Sequence, residues 1–268
     1  MAKYKKKRAR ELQHDRFRDT TIGFFDRLGN LLEGRGRTIL YGLAGILLAG
    51  ILIIGFVKWS NRKTDEARQA LGRAINISTA DINATPIAGS PDPSYTSEYE
   101  RSQRAIEEFE KVAAKYGDPY RSQARYFIAA NRLVVDRPKG MTELSELSNS
   151  SLPEVAALSK FALAQANESD GKLEEAAKLY SDLAKQNSVS VSAETANLRL
   201  AKVYKKLGKK KEAVDVLFNM VDASRKAKGE KNQPAPISAA AREAATELQK
   251  LDPERYSQLP QETPSLLG

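Results

Sequence analysis

The chain has one histidine, His14, and no cysteine among its 268 residues. Those two counts remove most side-chain chemistry. No thiolate is available as nucleophile, metal ligand or disulfide partner, and a His-rich zinc site cannot be assembled. A Ser-His-Asp triad would have to recruit His14 from a basic tail. Glu107, Glu108 and Glu110 share a charge-rich helical stretch, and such carboxylates read as a solvated face, not as an acid–base pair. Gly34-Arg35-Gly36-Arg37 lacks the spacing and the Lys-Ser/Thr of a phosphate loop. No set of residues here matches a reaction class. The chain is therefore expected not to be an enzyme and to use no cofactor and no metal.

Two patterns point to binding instead. Tyr126, Phe161 and Leu198 recur at intervals of 35 and 37 residues, with Leu133, Val134 and Leu158 beside them. Lys202, Lys205 and Lys206 stand at the end of this row. An apolar ladder with a basic end could hold an extended, unfolded segment in a groove lined by first helices. The same spacing equally describes side chains packed between helices. At the N-terminus, Lys3-Tyr4-Lys5-Lys6-Lys7-Arg8-Ala9-Arg10 is a cluster that could meet anionic lipid headgroups or the phosphates of ribosomal RNA. It could also act only as a topology signal.

The formal charge of +9 comes mostly from that tail, because residues 1–37 hold eleven Lys/Arg against five Asp/Glu. Residues 58–268 are nearly balanced, which argues against a nucleic-acid-binding body. Between them, Thr38 to Val57 reads TILYGLAGILLAGILIIGFV, twenty residues without a charge. As a helix it would reach about 30 Å, the thickness of a bilayer core, and it is expected to be an uncleaved single-pass anchor. The short, basic tail is placed in the cytoplasm and residues 58–268 outside it. Before the anchor, Phe24, Leu28, Leu31 and Leu32 form one apolar helical stripe, expected to lie on the cytoplasmic leaflet.

Beyond the anchor the pattern is helical, and it repeats. Leu163-Ala164, Gly171, Ala176, Tyr180 and Leu183 recur as Leu200-Ala201, Gly208, Ala213, Leu217 and Met220, 37 residues on. Ile128-Ala129, with a weaker second helix at Leu144 and Leu147, stands 35 residues upstream, and Ala105, Phe109 and Val112 mark an earlier half unit. These are helix–turn–helix pairs in which a small residue lets two helices meet and Gly permits the turn. The order resembles the tetratricopeptide repeat, although the unit is 35–37 residues long and the first-helix Trp is absent. The expected fold is all-α, a single transmembrane helix followed by a tetratricopeptide-like solenoid.

The expected boundaries are a cytoplasmic tail at 1–37, the anchor at 38–57, a helical stalk and Pro-rich linker at 58–97, repeats with a C-terminal capping helix at 98–251, and a flexible tail at 252–268. This order of parts resembles the ancillary subunit of the bacterial SecYEG translocon. The resemblance implies an inner-membrane protein with a periplasmic domain. It further implies partners in the SecYEG translocon and a periplasmic chaperone-isomerase, and a chaperone-like role in secretion or folding. A structural scaffold for division or wall machinery would use the same groove for one folded partner.

Overall fold

The computed structural model describes residues 62–83, 94–186, 188–228 and 235–261. The basic tail, its amphipathic stretch and the apolar run 38–57 lie outside these residues, as do 84–93 of the linker and 262–268. Among the described residues, no helix is long and apolar enough to cross a membrane. Glu66–Gly268 form one compact unit.

Its elements are almost all helical. They are α1 (62–78), then α2 (Glu98–Lys115), α3 (Tyr120–Val135), α4 (Arg137–Leu147), α5 (Pro153–Ser169), α6 (Leu173–Ala184), α7 (Ala193–Lys206), α8 (Lys210–Lys226), α9 (Ala239–Leu251) and α10 (Pro253–Ser257). One departure from an all-helical body is a pair of two-residue strands, β1 (Asp81–Ile82) and β2 (Ser94–Tyr95), paired in parallel across the linker. Helix starts follow local chemistry. Ser97, Ser192 and Ser238 each accept a hydrogen bond from a backbone N–H in the first turn of the helix that comes next, satisfying a donor that has no intrahelical partner.

Consecutive helices pack against one another along the chain, and the first helices α3 and α5, and α7 and α9, also touch. The core divides into clusters of three successive helices. Leu71 and Ala74 of α1 join Ala105 and Phe109 of α2 and Ile128 of α3. Ala129 of α3 joins Leu144 and Leu147 of α4 and Val155 of α5. Ala164, Tyr180 and Val203 link α5, α6 and α7, and Leu198, Leu217 and Leu248 link α7, α8 and α9. Each of α3, α5 and α7 serves two clusters. That is why α5 buries Val155, Ala157, Ser159, Ala164 and Asn167 around most of its circumference, as a helix enclosed by neighbours must.

Two expected boundaries differ from those of the structure. Residues 58–97 are expected as a stalk and linker outside the repeats. Leu71 and Ala74 are nevertheless buried, so α1 is the first helix of the first hairpin and α2 is its second. Residues 252–261, assigned to a flexible tail, contain α10, capped by the Asp252 side chain with Pro253 in the first turn. Leu259 is buried in the last core cluster, and Arg225 donates to the Pro260 carbonyl at 2.6 Å. Apolar burial and these polar ties hold the segment down.

Candidate functional site: the row of first helices

The two clearest hairpins share one turn. Gly171 and Gly208 have φ of +74° and +73°, a region in which an L side chain clashes with its own backbone. In both turns the next residue reaches back five positions, Lys172 N–H to Asn167 O and Lys209 N–H to Tyr204 O, each at 2.9 Å. This double-bonded glycine stop satisfies the last carbonyls of the first helix and returns the chain along it. A third hairpin uses another device. Gly140 of α4 sits so close to α3 that a Cβ there would stand 2.7 Å from Leu133 N and 2.9 Å from Ala129 O. Bare backbone contact lets the weakly apolar α4 close its hairpin.

Those turns set the register of the expected ladder, and the structure turns its side chains inward. Leu198 is buried in the last cluster. Phe161 is half-buried and meets Tyr180 edge to face, with ring centroids 5.8 Å apart. Tyr126 and Leu133 are half-buried against the cluster of α3, α4 and α5, and burial pushes the Tyr126 phenol up from its ordinary pKa. Tyr126 also meets Phe127 edge to face at 5.1 Å. Each rung fills the space between its own hairpin and the next first helix. Of the flanking residues, Leu158 packs on the α5–α6–α7 cluster, while Val134 is 40% exposed.

The basic end of the row is paired. Lys202 Nζ lies 2.5 Å from Glu243, Lys205 Nζ 3.0 Å from Glu247, and Lys206 Nζ 2.5 Å from Glu168. The first two ties fix the capping helix α9 to α7, and the third joins α7 to α5. The hydrogen bond from Lys205 holds the Glu247 carboxyl below the ordinary carboxylate range. Glu168 also accepts from the Tyr180 hydroxyl at 3.2 Å. Burial, with Glu168 alongside, pushes the Tyr180 phenol well up. The three lysines expected to meet a ligand therefore knit the repeats together.

The accessible strip lies one helical turn further along each first helix. Ala130 and Gln165 come four residues after Tyr126 and Phe161, Gln165 is exposed and Ala130 half-buried, while the equivalent position on α7 is Lys202, paired with Glu243. With Val134 they offer a mixed apolar and polar face. Gln165 escapes a search of the sequence for apolar or charged rows, because it is neither. The signal that finds it is the 37-residue step back from Lys202. Among the described residues, no group of His, Cys, Asp and Glu is placed to hold a metal ion.

No protein-family model and no curated protein matches the sequence. Among solved structures, the chain is similar to the crystal structure of nearly identical TPR-like repeats of a putative kinesin light chain from Podosopora anserina, and to a single-residue variant of it. Each likeness covers 72% of this chain and 88% of the other, at 16% identity and a TM-score of 0.46.

Proposed function

We propose that this chain is a membrane-anchored protein–protein interaction module that assists secretion or folding outside the cytoplasm, beside the SecYEG translocon. It acts by docking, without catalysis. Residues 38–57 anchor it in the bacterial inner membrane, residues 1–37 remain in the cytoplasm, and the repeat domain faces the periplasm. The observation that supports the module reading is the shared register of its hairpins. First helices are set in a row by equivalent turns at Gly171 and Gly208, and equivalent positions on such a row form an extended surface for a partner. The apolar run and the order of parts support the anchor and the translocon.

Solubilising membranes in mild detergent, capturing the full chain and identifying its companions by mass spectrometry tests this reading. Recovery of translocon subunits or a periplasmic chaperone-isomerase is the expected result. Recovery of division or wall-synthesis proteins without any translocon subunit would replace it with an envelope scaffold.

A further inference from the structure

Each first helix inside the solenoid is followed by a second helix that closes its hairpin. These second helices have 11 residues in α4, 12 in α6 and 17 in α8. The capping helix α9 is followed by α10, which has 5. One level back, Val216 of α8 packs on the α5–α6–α7 cluster and closes the space beside it. At the last level Tyr256 and Leu259 pack on the α7–α8–α9 cluster, and the short α10 leaves a hollow of about 230 Å³ between α8 and α9.

The floor of this hollow is apolar, with Val221 of α8, Ile237 before α9, and Ala241 and Ala245 on α9. Arg225 and Arg242 line it as well, with Thr246 and Gln249 beside them, and no Asp or Glu does. The carboxylates of the surrounding helices are engaged or remote. Asp215 lies 2.7 Å from Arg255 and Asp222 2.7 Å from Lys226. Glu243 and Glu247 face the lysines of α7. Asp252 caps α10, and Glu212 is in the first turn of α8 while Arg225 is in its last. The exposed Glu254 of α10 is not part of the lining. Arg225 is fixed from behind, donating to the Pro260 carbonyl at 2.6 Å and to the Tyr256 hydroxyl at 3.3 Å, with N–H groups to spare.

We propose that this hollow seats an acidic segment of a protein partner. A carboxylate of the segment bonds Arg225 and Arg242, and a neighbouring apolar side chain enters over Val221 and Ala245. A guanidinium presents parallel N–H donors that match a carboxylate. The apolar floor adds burial that a free inorganic anion cannot use. The site is built from α8, α9 and α10, shares no residue with the strip that carries Gln165, and does not depend on the anchor or on the translocon.

Selection of phage-displayed random peptides on the detergent-solubilised full chain tests this. Sequences with Asp or Glu beside an apolar residue are expected to be enriched. A synthetic copy of a selected peptide should bind Arg242→Gln at least about tenfold more weakly. Arg242 is exposed and takes no part in the bonds that hold α10, so this variant keeps its thermal midpoint. Arg225→Gln should lose the peptide too, with a lower midpoint. Selection without acidic enrichment, or acidic peptides that bind Arg242→Gln as well as the parent chain, overturns the proposal. A midpoint raised by inorganic phosphate as much as by the peptide overturns it in favour of a free-anion site. Enrichment that appears only with a Glu262→Gln chain overturns it in favour of the chain's own carboxylate.

Discussion

Lys206 on α7 reaches back across the hairpin to Glu168 on α5, 2.5 Å away, and the other oxygen of that carboxylate takes the Tyr180 hydroxyl. One residue from each of three successive helices thus meets at a single carboxylate. With Lys202 on Glu243 and Lys205 on Glu247, the basic row is a set of inter-repeat ties. Exposed pairs of this kind contribute about 0.2–1 kcal/mol each. Replacing all three lysines with Gln should lower the thermal midpoint slightly and leave affinity for unfolded peptide unchanged. A large loss of peptide capture with an unchanged midpoint would restore these lysines as ligand contacts.

Glu247 carries a pH signature. Its carboxyl is held below the ordinary range chiefly by the Lys205 hydrogen bond, so on acidification the unfolded chain takes up a proton there first. The stability it supplies is complete above the unfolded carboxylate pKa, about 4.3, and disappears as pH falls through the lower folded value. Glu247→Gln should therefore destabilise the domain near neutrality by less than about 1 kcal/mol, with the difference vanishing in acid. Denaturant titrations at several pH values check this. A penalty that persists below the folded pKa would mean that the side chain acts through packing.

The two glycine turns should respond alike. Gly171→Ala and Gly208→Ala each force an L side chain to φ near +73°, a cost of about 1 kcal/mol. In a domain of this size that lowers the melting temperature by roughly 2–4 °C. Gly140→Ala acts differently, driving a Cβ into the α3 backbone, and overpacking of that kind costs about 1–3 kcal/mol. Thermal melts of the three variants decide it. An unaffected Gly140→Ala chain would show that α3 and α4 do not touch through bare backbone.

Ser159 offers a change in the opposite direction. It is fully buried on α5, and its Oγ has no hydrogen-bond partner. A buried unpaired hydroxyl costs about 1–3 kcal/mol, so Ser159→Ala should raise the melting temperature. A lower one would reveal a water or partner at that hydroxyl.

Phe161→Ala separates packing from ligand binding. Full burial of Phe makes truncation cost about 3–5 kcal/mol, and the half-buried Phe161 on Tyr180 should cost somewhat less. A clear drop in melting temperature is expected. Normal stability with lost peptide capture would make Phe161 a ligand contact instead of core.

The hairpins are legible in the sequence because small residues and glycines are costly to replace where helices touch or the backbone turns left-handed. Ala164 and Ala201, or Gly171 and Gly208, therefore mark the repeat even where bulky positions drift. The ladder's register is also legible, but its direction is not. Tyr126, Phe161 and Leu198 keep the same spacing whether they face a ligand or the next helix. Two of the lysine pairs depend on α9, about forty residues downstream, and no local pattern reports that distance. Nor does local pattern reveal α1 as a repeat helix, because the proline-bearing linker separates it from α2. The α10 segment does carry a sequence signal, since Asp252-Pro253 is a helix start.

On the proposed reading, a protein partner docks on the strip of first helices that carries Gln165. Site-specific photo-crosslinking from Gln165 in living cells, with Lys172 in the Gly171 turn as control, tests this. A protein adduct from Gln165, containing a translocon subunit or periplasmic chaperone-isomerase, is expected, and none from Lys172. Adducts from Lys172 alone, or none from Gln165 while the chain is folded and in the membrane, would contradict it.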